Sequence, residues 1–239
     1  MKYDLSVVIP TYNEADKIEN TVKSVFDYLK SKNIRGEVII SDDCSTDNTV
    51  GLVEKLQTKN SDLKLVKSEK NYFKGWPVKN GMLKADGKIV LFADADLATP
   101  IKEADKLLDA IDRGSDIAIG SRIHESFDLR SSQPFYRRIL GKMFAKLKSF
   151  LIPQIKDSQT GFKMFKGEVA KVLFEKQKIK NIIFDVEILY MAKKLKYNIA
   201  QVPVDWNYGG QTRMKISAKN AISTIISLVK IWFYHKSLK

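Results

Sequence analysis

The sequence is poor in cysteine and histidine, with one cysteine and two histidines among 239 residues. A single cysteine, Cys44, cannot build an intramolecular disulfide framework, which suits a reducing compartment. A cysteine nucleophile would need a neighbouring histidine as its base, and the chain has few to offer. We therefore predict that Cys44 is a small loop residue and that His124 and His235 are surface or locally satisfied residues.

Long apolar runs are also missing. The chain enters strand-like sequence at Leu5 without a basic region followed by an apolar core, so we expect no signal peptide. The most apolar stretch, residues 221–234, is interrupted by polar residues and is too short to span a bilayer, so we expect no transmembrane helix. With 44% hydrophobic residues, 12 glycines and 6 prolines, the composition predicts a globular α/β chain rather than a disordered one.

Acidic residues are absent from two segments. Residues 129–156 carry seven bases and no acid, and residues 206–239 carry six bases and no acid. The rest of the chain has 28 basic and 28 acidic residues, so the net charge of +13 lies wholly within the two segments. Such surfaces bind anions, whether a nucleic acid, a membrane or a phosphorylated ligand.

Both basic segments also carry apolar residues at helical spacing, over residues 140–151 and 222–233. An amphipathic helix of a globular protein is the default interpretation of such a stripe. A basic polar face without acids favours instead helices that lie in an anionic membrane interface. Because no RNA-binding signature with paired aromatics is present, we expect an anionic membrane surface and no nucleic acid as partner.

The first 122 residues alternate between strand-like and helix-like patterns. Apolar runs predict strands near residues 5–10, 38–40, 63–66, 88–93 and 116–120, and a later one near 199–204. This alternation predicts an α/β fold with a mostly parallel sheet flanked by helices on both faces. Because no Gly-x-Gly-x-x-Gly follows the first strand, a dinucleotide-binding domain is disfavoured.

Three predicted strands end in polar clusters, namely Asn13-Glu14, Asp42-Asp43, and Asp94 with Asp96. Parallel strands would bring these clusters to one rim, where open α/β folds bind ligands. Two carboxylates one residue apart can offer oxygen ligands to a divalent cation that bridges a diphosphate. The alternative interpretation is that these residues only form strand-end loops and cap the next helices, as we also expect of Asn13.

Five stretches together resemble the family 2 glycosyltransferases of the GT-A fold. They are residues 7–14 (VVIPTYNE), 41–47 (SDDCSTD), 92–100 (FADADLATP), 120–122 (GSR) and 157–163 (DSQTGFK), and their order and spacing match to about residue 205. Residues 77–83, 94–100 and 184–187 more narrowly resemble the polyprenyl-phosphate branch, dolichyl-phosphate β-glucosyltransferases in particular. The resemblance implies one GT-A domain over residues 1–239, with a nucleotide-sugar half (1–122) and an acceptor, membrane-facing half (123–239) that carries the basic amphipathic helices.

On the donor side, the resemblance implies that the nucleotide sugar is bound by Pro10, Tyr12, Glu14, Asp42, Lys74, Asp94 and Ala95. Asp42 would hydrogen-bond the base, and Asp94 would contact the ribose or the metal. Asp96, with Asp94, would coordinate Mg²⁺ or Mn²⁺ on the diphosphate. A solvated surface lysine is the alternative for Lys74, because the adjacent Trp76-Pro77 departs from the small residues of the wider family.

On the acceptor side, the resemblance implies that the lipid phosphate is bound by Arg122, Arg130, Arg137, Arg213 and Lys215. Asp157 occupies the position that is often the catalytic base in inverting enzymes. A phosphate monoester with a second pKa of about 6 is already mostly anionic at neutral pH. Asp157 would then orient Arg122 or the acceptor, with Arg122, Asp96 and Asp157 as the catalytic set. Asp185 and Glu187 are expected to cap and start a helix, with a role in the site as the alternative.

The function implied is inverting transfer of glucose from UDP-glucose to a polyprenyl (dolichyl) phosphate at the cytoplasmic membrane face. GDP-mannose as donor, a soluble saccharide or protein as acceptor, and a non-catalytic scaffold are the alternatives. Many relatives carry C-terminal transmembrane helices. Without one, this chain is expected to be a cytoplasmic, peripherally membrane-associated enzyme, held by its basic helices or by a separate membrane-protein partner.

Overall fold

The computed structural model describes residues 1–122, 144–207 and 218–238, and in the last helix it describes side chains from residue 223 onward. Within these residues seven strands form one sheet in the order β3-β2-β1-β4-β6-β5-β7. All neighbouring strands are parallel except β6, which runs antiparallel to β4 and β5. The strands are β1 (Tyr3–Thr11), β2 (Gly36–Asp42), β3 (Leu63–Lys67), β4 (Gly87–Ala93), β5 (Ile117–Ser121), β6 (Phe162–Lys166) and β7 (Ile199–Pro203).

Helices cover both faces of the sheet. They are α1 (Ile18–Ser31), α2 (Thr49–Gln57), α3 (Gly75–Lys84), α4 (Ala104–Asp112, after a short 3-10 turn at Ile101–Glu103), α5 (described over 144–151), α6 (Gly167–Lys176), α7 (Phe184–Lys194) and α8 (Ala218–His235). Alternate residues of each central strand face opposite helical layers, so that Val7 packs with α1 and Val8 with α3. The predicted mostly parallel α/β sheet is confirmed.

The layer formed by α3, α5, α6, α7 and α8 contains the larger core cluster. In this layer Leu228 and Ile231 of α8 are buried, and the Asn181 side chain donates to the Ser227 hydroxyl at 2.9 Å. His235 of α8 lies 2.7 Å from the buried carboxylate of Glu187, which confirms that His235 is locally satisfied. Within the described residues, no helix has both the length and the apolar character needed to cross a bilayer.

The prediction that Asn13 caps the first helix is wrong. Helix α1 begins at Ile18 with Lys17 as its N-cap residue, and Asn13 adopts a left-handed backbone conformation with φ of 56°. Its side-chain oxygen instead accepts the N–H group of Thr46 at 2.8 Å, which ties the end of β1 to the loop after β2. Asparagine tolerates this conformation better than most residues, which explains its use at the turn.

Candidate functional site

The carboxyl ends of β1, β2 and β4 form one rim of the sheet. In the parallel register Thr11 pairs with Asp42, and Val8 pairs with Phe92, two residues before Asp94. The three polar clusters that were predicted to meet therefore do lie along one edge. This is the edge at which open α/β sheets bind ligands.

At the β1–β2 end of the rim, Asp42 is only 1% exposed. Its carboxylate accepts the Thr11 hydroxyl at 3.2 Å and the Ser45 N–H group at 2.8 Å. Asp43 is also buried, which raises the pKa of its carboxyl, and it accepts the N–H groups of Tyr72 and Phe73. Both carboxylates therefore hold loops in place. Four other predicted donor-site residues line the rim nearby. Of these, Pro10 and Ala95 are buried, Glu14 is partly buried and Tyr12 is exposed.

At the β4 end of the rim, Lys74 and Asp94 form an ion pair with 2.6 Å between Nζ and Oδ1. Burial opposes the charge of Lys74, but the carboxylates of Asp94 and Asp185 outweigh it and raise the pKa of the ammonium group. Lys74 is thus held at the rim by an ion pair, and 31% of its side chain remains exposed. Asp96 is exposed, and its carboxylate accepts the Ala98 N–H group at 3.0 Å.

The absence of a side chain at Gly161 leaves room for the Asp94 carboxylate. This role of Gly161 was not predicted from the sequence. The N–H group of Asp94 donates to the Gly161 carbonyl at 3.0 Å, where β4 and β6 meet. A Cβ atom added at Gly161 would lie 1.9 Å from Oδ2 of Asp94, well inside contact distance. Any larger residue at 161 would therefore displace this carboxylate.

Arg122 and Asp157 form the second charged pair of the site. The guanidinium donates to both carboxylate oxygens, from Nε at 2.7 Å and Nη2 at 2.8 Å, and the Arg122 N–H group adds a bond of 3.2 Å. Burial disfavours the charged carboxylate, but these hydrogen bonds and the charge of Arg122 hold the pKa of Asp157 below its ordinary value. The guanidinium also lies 5.2 Å from the ring centre of Trp206.

A groove of about 560 Å³ opens beside Arg122, between the 3-10 turn with α4 and the end of β7. Lys102, Lys106 and Trp206 line it together with Arg122. The buried carboxylate of Glu103 shapes its wall, because it accepts both the Lys106 ammonium and the Asp205 N–H group. The groove offers a basic path toward the Arg122–Asp157 pair.

Four of the predicted phosphate ligands, Arg130, Arg137, Arg213 and Lys215, lie outside the described residues, as does His124. The described parts of both basic segments present apolar side chains to solvent. We call the "α5–α8 patch" the exposed set Phe150, Ile226, Val229, Trp232, Phe233 and Tyr234. Among the side chains that the structure describes in these two helices, Lys146 and Lys230 are exposed lysines.

Asp185 and Glu187 lie in the first turn of α7, as predicted, but both are buried. Glu187 accepts the N–H groups of Lys178 and Ile179, so it anchors the α6–α7 loop. Asp185 pairs with Lys163, whose burial the sequence reasoning missed. The available signal was a lysine between the apolar residues Phe162 and Met164.

The rim suits a divalent cation that arrives with a phosphorylated ligand. Within the described residues no group of three or more histidine, cysteine, aspartate or glutamate side chains could enclose a metal ion. Asp94 and Asp96 nevertheless present two carboxylates that solvent reaches, since Asp94 is partly exposed and Asp96 is exposed. Because Mg²⁺ is usually held by one or two carboxylates together with phosphate oxygens and water, this donor set is sufficient for such a site.

The sheet order, the carboxylate pair at the end of β4 and the basic residue at the end of β5 define a GT-A glycosyltransferase. The chain belongs to this class through glycosyl transferase family 2, whose sequence profile matches residues 6–174. This confirms the family and the enzyme class that the motifs predicted.

Two curated relatives share much of the sequence. The chain is 34% identical to a dolichyl-phosphate β-glucosyltransferase of Trichomonas vaginalis, over 96% of this chain and 71% of that protein. It is 36% identical to the dolichyl-phosphate β-glucosyltransferase of Drosophila melanogaster, over 85% of this chain and 67% of that protein. The chain therefore spans about two thirds of the length of these relatives or slightly more.

Solved structures share the fold at lower identity. Glucosyl-3-phosphoglycerate synthase from Mycobacterium tuberculosis, in complex with Mn²⁺, UDP-glucose and phosphoglyceric acid, superposes with a TM-score of 0.62 at 17% identity, covering 97% of this chain and 79% of that one. TarS of S. aureus, in complex with UDP-GlcNAc, superposes with a TM-score of 0.58 at 20% identity, covering 95% and 66%. These likenesses confirm the GT-A fold.

Proposed function

We propose that the protein transfers glucose from UDP-glucose to a polyprenyl phosphate such as dolichyl phosphate, with inversion at the anomeric carbon. One structural observation carries the proposal. The short segment 157–161 contacts Arg122 through Asp157 and Asp94 through Gly161, so a carboxylate rim for a donor diphosphate adjoins a guanidinium for an acceptor phosphate. The names of the relatives support both the sugar and the acceptor.

The donor half, residues 1–122, holds the nucleotide sugar in this proposal. Asp94 and Asp96 would bind a divalent cation, Mg²⁺ or Mn²⁺, which would neutralise charge on the departing nucleoside diphosphate. Lys74, which is paired with Asp94 in the structure, would donate to the diphosphate from the same side. Tyr12 and the loops held by Asp42 and Asp43 enclose the base and ribose.

The acceptor half, residues 123–239, together with Arg122, holds the lipid phosphate. An oxygen of the phosphate monoester attacks the anomeric carbon of glucose, and the bond from that carbon to the diphosphate oxygen breaks, so that UDP leaves with the electron pair. Because a monoester with a second pKa of about 6 is already mostly dianionic at neutral pH, no base has to remove a proton. Asp157 therefore acts by orienting the Arg122 guanidinium.

The α5–α8 patch supports a peripheral position on the cytoplasmic face of a membrane. Phe150 is 72% exposed and Phe233 is 62% exposed, and Lys146 and Lys230 of the same two helices are also exposed. Apolar side chains that enter the acyl boundary and lysines that meet anionic head groups are the two parts of an interfacial helix. The enzyme would in this way meet its lipid acceptor without a spanning helix of its own among the described residues.

A panel of donors and acceptors tests the proposal. Labelled UDP-glucose and GDP-mannose are each incubated with a short polyprenyl phosphate, the matching polyprenol and a soluble sugar, in detergent with Mn²⁺. We expect a glucosyl lipid only from the combination of UDP-glucose with the polyprenyl phosphate. Transfer from GDP-mannose would overturn the donor, and transfer to the soluble sugar without any lipid product would overturn the acceptor.

A further inference from the structure

Lys163 and Asp185 form an ion pair that is almost completely removed from water. Lys163 is 1% exposed and Asp185 is 4% exposed, with 2.6 Å between Nζ and Oδ1. The ammonium group also donates to the Thr160 carbonyl, so its charge is shared between a carboxylate and a backbone dipole. Neither side chain has a role in the mechanism above.

This pair lies directly beneath the rim at the carboxyl ends of β1, β2 and β4, which we call the donor rim. In the antiparallel pairing of β4 with β6, Lys163 is the cross-strand partner of Phe92, two residues before Asp94. Cross-strand partners project to the same face of a sheet. The ammonium groups of Lys163 and Lys74 both lie near the Phe92 ring, 5.7 and 5.3 Å from its centre.

The pair is a poor device for stability alone. Burial lowers the pKa of Lys163 and raises the pKa of Asp185, because a charged group loses its hydration in the apolar layer between the sheet and α7. Replacing such a pair with apolar residues of similar volume is often neutral or stabilising. Its presence under the rim therefore calls for another role.

We infer that Asp185 and Lys163 are positioning residues that hold the Lys74 ammonium at the donor diphosphate; this inference rests on the proposed function. Lys74 is paired with Asp94 in the structure. Lys74 and Lys163 both lie near the Phe92 ring, and the Asp185 carboxylate that is bound to Lys163 also attracts the Lys74 ammonium. Asp185 would still attract Lys74 if Asp94 bound a cation on the donor. Lys163 in turn fixes Asp185, because it ties the carboxylate on α7 to β6.

A double-mutant cycle on Lys74 and Asp185 tests the inference, with UDP binding in the presence of Mn²⁺ measured by calorimetry. Asp185→Asn is expected to weaken UDP binding about tenfold in the wild-type background, the usual loss when a supporting partner is removed. In the Lys74→Ala background the same substitution is expected to change the affinity by less than about twofold, because its effect passes through Lys74. Equal effects in both backgrounds would overturn the inference and leave the proposed function standing.

A second variant separates positioning from folding. The double substitution Lys163→Met with Asp185→Leu removes both charges and keeps an apolar layer, so the protein is expected to fold with an unchanged melting temperature. Its KM for UDP-glucose is expected to rise about tenfold, with an unchanged KM for the polyprenyl phosphate. A merely structural role would lower the active fraction, and hence kcat, without changing either KM. Wild-type KM values in a folded double variant would overturn the inference.

Lys166→Met on the same strand is the matched control. Lys166 pairs with Asp116 at 2.8 Å, but this pair is partly exposed and lies at the opposite end of β6 from Gly161. Its removal is expected to leave UDP affinity and donor KM unchanged. Equal losses in the Lys166 and Lys163 variants would overturn the inference. A wild-type protein that binds no UDP with Mn²⁺ would overturn the proposed function and the inference with it.

Discussion

The guanidinium of Arg122 donates hydrogen bonds to both carboxylate oxygens of Asp157, at 2.7 and 2.8 Å. This two-pronged geometry fixes the plane of the guanidinium as well as its position, which a single hydrogen bond would not do. Because the Asp157 carboxylate accepts both hydrogen bonds and has a pKa below the ordinary value, it is a weak proton acceptor. The pair therefore supports a site that orients an acceptor phosphate rather than one that deprotonates it.

Arg122→Lys is predicted to lower kcat for glucosyl transfer about 100-fold, because lysine keeps the charge but loses the planar fork. Adding Asp157→Asn to this variant is predicted to reduce kcat by less than about threefold more, since Asp157 acts through Arg122. Steady-state kinetics of the two single variants and the double variant check this. Multiplicative losses in the double variant would show that Asp157 has a role of its own.

The free energy of unfolding is predicted to depend on pH through Asp157. Its folded-state pKa lies below the ordinary value of about 4, so its stabilisation is complete above about pH 5 and is lost as the pH falls through the folded-state pKa. Asp157→Asn should therefore destabilise the protein by about 1–3 kcal/mol at pH 7 and by less at pH 3. Urea unfolding of both proteins at the two pH values measures the difference, and an equal or larger difference at pH 3 would contradict the assignment.

Gly161→Ala is predicted to weaken metal-dependent donor binding while the sheet stays folded. The added methyl group would occupy the space of the Asp94 carboxylate, 1.9 Å from Oδ2. The expected loss of UDP affinity with Mn²⁺ is at least about tenfold by calorimetry. Gly51→Ala on α2 is the control, because its Cβ atom meets only the flexible end of the Asn48 side chain, and its affinity should equal that of the wild type.

The α5–α8 patch is predicted to bind anionic vesicles. Replacing Trp232 and Phe233 together with serine should reduce cosedimentation with phosphatidylserine vesicles several-fold, because both rings are exposed and lie beside Lys236. Phe73→Ser is the matched control, since this ring is 66% exposed but lies on the donor rim. Equal losses in the two variants would argue against a dedicated membrane surface.

The meeting of the polar clusters at one rim of the sheet could be predicted from sequence because its determinants are local. The consecutive apolar residues of β4 indicate a strand buried on both faces. Parallel pairing then places Asp94 beside the end of β1, whose other neighbour is β2. The order of strands and helices through residue 122 follows from the same alternating pattern.

Strand β6 and the buried charges could not be predicted in this way. Lys163 and Lys166 interrupt the apolar pattern of β6, and the partner that makes Lys163 tolerable, Asp185, comes 22 residues later. The capping role predicted for Asn13 is wrong for a related reason. Its side chain bonds to the β2–α2 loop, which is distant in sequence, instead of to the helix that follows it.

The most direct test of the account is glucosyl transfer to a short polyprenyl phosphate by the wild-type protein and by Asp96→Ala, each with Mn²⁺ and with EDTA. We predict that the wild-type protein forms a glucosyl lipid with Mn²⁺ and forms none in EDTA. The rate of glucosyl transfer is predicted to fall by at least about 100-fold in Asp96→Ala. Lipid product that persists in EDTA and in Asp96→Ala would contradict the assignment of the carboxylate rim to the donor diphosphate.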